Sequence, residues 1–89
     1  MGMDYAISRV RRHGNLVMAQ ERGFYYEEEF ATPEEAEKKR VEVIARTLEA
    51  REGIPCGYFG NPDSIDDLKK SYEEWCNNQS YRAPVSQYA

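Results

Sequence analysis

Eighty-nine residues with 12 Lys and Arg against 16 Asp and Glu give a formal charge of −4, and 40% of the positions are hydrophobic. A chain of this length builds one hydrophobic core, buries roughly two thirds of its unfolded surface and has no room for a second domain. The acidic balance argues against unspecific phosphate-backbone binding as the main activity. Two cysteines fall short of the frameworks that small secreted domains use.

No apolar run approaches the roughly 20 residues that a membrane span requires, and the polar start MGMDYAISRVRR lacks the apolar centre of a signal peptide. The expected setting is the cytoplasm of a bacterial or phage-infected cell, with Cys56 and Cys76 reduced and no membrane contact. One domain is expected over 1–89, with its ordered core at about 4–78 and a looser tail at 79–89.

From Asp4 to Arg12 the residues DYAISRVRR include β-branched and aromatic side chains, and His13-Gly14-Asn15 is a turn signal before the apolar run Leu16 to Ala19. This predicts a hairpin. Arg22-Gly23 punctuates the chain, and Phe24 to Phe30 reads as a third strand with Phe24, Tyr26 and Phe30 on one face. Thr32-Pro33-Glu34-Glu35 combines a cap, a proline at the first helical position and a capping box. A helix is predicted from there to about Arg51, stopped by Gly53 and Pro55, with Val41, Ile44, Ala45 and Leu48 facing the sheet.

The segment Gly53 to Pro62 holds three glycines, two prolines and the adjacent aromatics Tyr58 and Phe59, a composition that favours an ordered loop. Ser64 and Asp67 form a second capping box, and Ile65, Leu68, Tyr72, Trp75 and Cys76 follow helical spacing to Asn77-Asn78. The predicted fold class is α+β: a three-stranded antiparallel β-meander followed by two α-helices, β-β-β-α-α. Its small core leaves room for stabilisation as a homodimer.

No chemistry-bearing constellation emerges. A cysteine nucleophile would need a base beside Cys56 or Cys76, and His13 is the single histidine. Two thiols and one imidazole fall short of a zinc site. The chain is expected to be non-enzymatic, with no cofactor and no metal.

Binding is the remaining class. Glu27, Glu28 and Glu29 form an acidic strip beside Glu34 and Glu35 in the first helical turn. Arg9, Arg11, Arg12, His13 and Arg22 make a basic end, suited to bidentate pairing with carboxylates or phosphates. Seven tyrosines exceed what so small a core holds. Tyr5, Tyr26, Tyr72 and Trp75 are assigned to the core by periodicity. Tyr25, Tyr58, Phe59, Tyr81 and Tyr88 are assigned to an interface, where rigid aromatics with a polar tip serve as anchors.

A meander followed by a helix that begins FATPEEAEKKR resembles the sheet-plus-helix DNA-binding domains of plant ethylene-response factors and phage integrase arm-binding regions, over Tyr5 to about Leu48. The resemblance implies DNA reading by the sheet, through Arg9, Arg11 and Arg22. The chain lacks those families' strand tryptophans, and Glu27 to Glu29 would repel phosphate. The leading expectation is a protein-binding module, an inhibitor or regulator of a larger protein or ribonucleoprotein complex. Its size, acidity and lack of a chemical site suit the small phage-encoded, anti-CRISPR-like inhibitors of bacterial defence.

Overall fold

The fold is described from a computed structural model covering residues 3–21 and 24–86, with side chains at 3–20 and 25–78. The elements run α1 (Met3–Arg9), β1 (Val10–His13), β2 (Leu16–Glu21), β3 (Phe24–Glu29), α2 (Pro33–Glu52) and α3 (Ile65–Ser86). The three strands form one antiparallel sheet in the order β1-β2-β3, so the meander followed by two longer helices stands as read.

The first segment departs from the reading. Asp4 to Arg9 is helical, and β1 begins only at Val10. Met3, Ala6, Ile7 and Val10 lie at i, i+3, i+4 and i+7, and burying that stripe overrides the strand propensity of Tyr5 and Ile7. Arg9 lies over the Tyr5 ring one turn away, with its guanidinium carbon 5.1 Å from the centroid.

α2 starts and stops where its caps dictate. Thr32 is extended (φ −135°, ψ 155°), and its hydroxyl oxygen accepts the Glu35 N–H. At the other end Gly53 takes φ 70°, a left-handed conformation that costs glycine little, and its N–H reaches the Glu49 carbonyl. Val41, Ile44, Ala45 and Leu48 are all buried, and the helix lies mainly over β1 and β2. Val10, Val17 and Ala19 meet it from the sheet. Two charged ties hold α2 to β1. Arg12 Nε donates to Glu37 Oε1 at 2.9 Å, and Arg40 Nε donates to the Val10 carbonyl at 3.2 Å.

The loop after α2 folds back along it. Tyr58 N–H bonds the Pro55 carbonyl and Gly60 N–H the Gly57 carbonyl, both at 3.0 Å. Ile54 and Phe59 are buried. Phe59, expected at an interface, is therefore a core residue: the turn aims it inward, and Glu49 of α2 accepts its backbone N–H at 3.3 Å. Tyr58 stays partly exposed, set edge-on to Phe59 and to Trp75 with ring centroids 5.3 and 5.2 Å away. Ser64 caps α3 through the Asp67 N–H, Leu68 is fully buried, and the Tyr72 hydroxyl donates to Glu52. The helix runs on to Ser86, beyond the end expected at Asn77-Asn78.

Candidate functional site

With a side-chain period of 2, the sheet register sorts every strand residue onto one of two faces. Pairing aligns Val10, Ala19 and Tyr26 in one row and Arg12, Val17 and Glu28 in another; both rows face the core. The alternate rows, Arg11–Met18–Glu27 and His13–Leu16–Glu29, point away from it. The helices that contact the sheet bury Val10, Val17 and Ala19, whereas Leu16 and Met18 remain half-exposed. The second face therefore carries an apolar column on the central strand, a basic column on β1 and an acidic column on β3.

Tyr25 lies at the β3 edge of this open face and is 62% exposed. Its hydroxyl donates to Glu27 Oε1 at 2.9 Å, and that bond raises the phenol pKa above its ordinary value, with smaller contributions from burial and the Glu27 charge. The contact orients the ring along the strand. A small pocket beside it, lined by Arg9, Arg11, Met18, Gln20 and Tyr25 among others, has a volume of about 90 Å3.

Tyr25, Glu27 and Glu29 thus gather with Arg11 on one surface, and Arg9 borders it from the end of α1. Glu28 and Arg12 belong to the opposite face, where Glu28 accepts the Tyr26 hydroxyl and Arg12 is held by Glu37. Glu34 is exposed in the first turn of α2, and Tyr58 packs on Trp75 of α3. Neither is joined to the Tyr25 and Glu27 group by a hydrogen bond, ion pair or ring contact. Arg22 and Tyr88 lie outside the described residues, as does the side chain of Tyr81. The residues missed from sequence are Leu16, Met18 and Gln20. Their signal was the unbroken apolar run Leu16 to Ala19, which at a side-chain period of 2 puts one apolar pair on each face of the central strand.

The core-facing side of β3 borders a groove of about 470 Å3, walled by Lys39, Val43, Arg46, Thr47 and Ala50 of α2 and by Tyr26. Lys39 Nζ sits 5.9 Å from the Tyr26 ring centre. Burial first, and then the hydrogen bond to Glu28, pushes the Tyr26 phenol up to about 12. Tyr5, Tyr26, Tyr72 and Trp75 are each partly rather than fully buried.

Cys56 is exposed and Cys76 half-buried, and both are free thiols. Among the described residues no group of His, Cys, Asp and Glu is arranged to hold a metal ion, and no helix is long and apolar enough to cross a membrane. Compared with protein-family models, curated proteins and solved structures, the chain matches none.

Proposed function

We propose that the chain is a non-enzymatic protein-binding module that docks through the open face of its sheet. The observation that supports this reading is the three-column layout of that face: half-exposed Leu16 and Met18 between Arg11 with His13 on one side and Glu27 with Glu29 on the other, and Tyr25 beside them. An apolar centre with a charged rim and an exposed aromatic is the anatomy of a protein interface. The two signs at the rim fix orientation and reject mismatched partners more than they add affinity.

Nucleic acid fits the face less well. The carboxylates of Glu27 and Glu29 occupy the same surface as Arg11 and would meet phosphates at close range. The partner is a larger protein or a protein-rich ribonucleoprotein complex, bound one to one, and the activity is inhibition or regulation by occupancy. Size, acidity and this face suit a phage-encoded inhibitor of host defence as the concrete type.

The test compares affinity capture by the wild type with capture by a Tyr25→Ala/Met18→Glu variant, from nuclease-treated and untreated lysate of the host. A stoichiometric protein that survives nuclease and is lost with the variant supports the reading. Retention of nucleic acid alone, lost at high salt and insensitive to the variant, overturns it.

A further inference from the structure

We infer that this chain also self-associates edge to edge, with β3 of one copy pairing in parallel with β1 of the next. A sheet of order β1-β2-β3 has two edges, and their charges are opposite. In three consecutive rows a basic side chain on β1 is aligned with a carboxylate on β3: Arg11 with Glu27 across Met18, Arg12 with Glu28 across Val17, and His13 with Glu29 across Leu16.

The geometry makes this alignment consequential. β1 and β3 are each antiparallel to β2 and so run in the same direction. A second copy displaced sideways along the rows sets its β1 beside β3 in parallel and continues each row into the next molecule. Facing parity is preserved, because the displacement includes no flip. Glu27 and Glu29 then meet Arg11 and His13 on the open face, and Glu28 meets Arg12 on the helix-bearing face.

Symmetric alternatives are disfavoured by the same residues. Pairing β3 with β3 opposes carboxylates, and pairing β1 with β1 opposes guanidinium groups. Charged edges are a common defence against strand addition. That defence works when both edges carry one sign, and here the two signs are complementary.

Access favours the contact. All six of these residues are exposed. The β1 edge borders an open groove of about 410 Å3, lined by Ile7, Glu37 and Arg40 besides its own residues, with Arg40 holding the Val10 carbonyl at the start of the strand. The outer rows are the freer ones on β1: among the described residues Arg11 makes a long 3.4 Å contact with the Ser8 carbonyl, whereas Arg12 is already paired with Glu37; on β3, Glu27 and Glu28 each accept a tyrosine hydroxyl of their own strand. Four residues make a short edge, so the association is weak and salt-sensitive. Being heterologous, it does not close on itself as a two-fold dimer does, and it grows with concentration. This inference is independent of the docking role, since it concerns the purified chain alone.

Sedimentation velocity of the purified protein over a concentration series tests it, with reductant present because Cys56 is exposed. At low salt the average mass should rise with concentration past that of a dimer, and high salt should return it to the monomer. Glu27→Lys/Glu29→Lys should weaken association about tenfold or more, as should Arg11→Glu/His13→Glu. An equimolar mixture of the two variants should restore it, because each then offers the other a complementary edge.

A monomer at every concentration and salt overturns the inference. So does a salt-insensitive closed dimer, a variant that associates like the wild type, or a mixture that stays monomeric. All four positions are solvent-exposed, and a far-ultraviolet spectrum checks each variant's fold. Should one fail to fold, the wild-type salt series alone decides.

Discussion

Glu49 of α2 and Phe59 of the following loop meet inside the protein, where Glu49 Oε2 accepts the Phe59 backbone N–H at 3.3 Å. The other carboxylate oxygen lies 3.0 Å from Arg46 Nε. That pair has ion-pair distance but not the alignment of a hydrogen bond. Arg46 uses a second nitrogen, Nη2, to donate to the Gly60 carbonyl at 2.7 Å. Together the two side chains fasten the loop to the helix at consecutive residues. Glu49 is 5% exposed, so removing its carboxylate strands a buried N–H and leaves Arg46 without its counter-charge. Glu49→Ala is expected to lower stability by about 2–3 kcal/mol, read as a lower urea midpoint at unchanged slope. Glu49→Gln keeps an acceptor for Phe59 and should lose less than half as much.

The neighbouring aromatics Tyr58 and Phe59 should behave in opposite ways. Phe59 is 8% exposed within the core cluster, and Tyr58 is 39% exposed. Phe59→Ala removes a buried ring and is expected to cost about 3–5 kcal/mol, most of the stability that a domain of this size has. Tyr58→Ala should cost about 1 kcal/mol, chiefly its edge contacts with Phe59 and Trp75. Thermal melts separate the two, with a shift of about 4–8 °C per kcal/mol.

What the sequence made legible follows from how local each signal is. The bounds of α2 were readable because Thr32, Pro33, Glu35 and Gly53 act on their own backbone, and Val41 to Leu48 kept a clean 3.6-residue period. The columns on β3 were readable from alternation alone. α1 was missed because DYAIS has strand-forming side chains. Its helical stripe of Met3, Ala6 and Ile7, continued by Val10 at the start of β1, becomes decisive only when α2 supplies something to bury it against. Phe59 was misplaced for a similar reason: glycines and prolines announce a turn but not the direction in which it returns. The site on the open face needed the register, which aligns Arg11 with Glu27 across a strand that the sequence does not pair by itself.

The two long helices depend on single hydroxyl caps, and this allows a direct comparison. Thr32 accepts the Glu35 N–H at 3.1 Å, and Ser64 accepts the Asp67 N–H at 3.2 Å. Thr32→Ala and Ser64→Ala are each expected to cost about 1 kcal/mol in chemical denaturation. Their effects should add, since the two caps share no partner. Amide exchange separates them by location. The first variant should speed exchange at Glu35 and the second at Asp67, the residues whose N–H groups lose their acceptors.

Alkaline pH should loosen the fold through two phenols. Burial, the hydrogen bond to Glu28 and the charges of Glu28 and Glu42 push Tyr26 up to about 12. Burial pushes Tyr72 up as well, followed by its hydrogen bond to Glu52 and by Cys76. In the unfolded chain both titrate near pH 10. Between the two values the native state binds more protons than the unfolded one, so stability falls as pH rises. The contribution is fully present below about pH 10 and, for Tyr26, is lost as pH climbs through about 12. A Tyr26→Phe/Tyr72→Phe variant has no phenol to ionise at either site, and its urea midpoint should decline less over this range than that of the wild type. Every other group is common to both proteins and cancels in the comparison. Equal decline in the two would show that neither hydroxyl holds its proton more tightly in the native state.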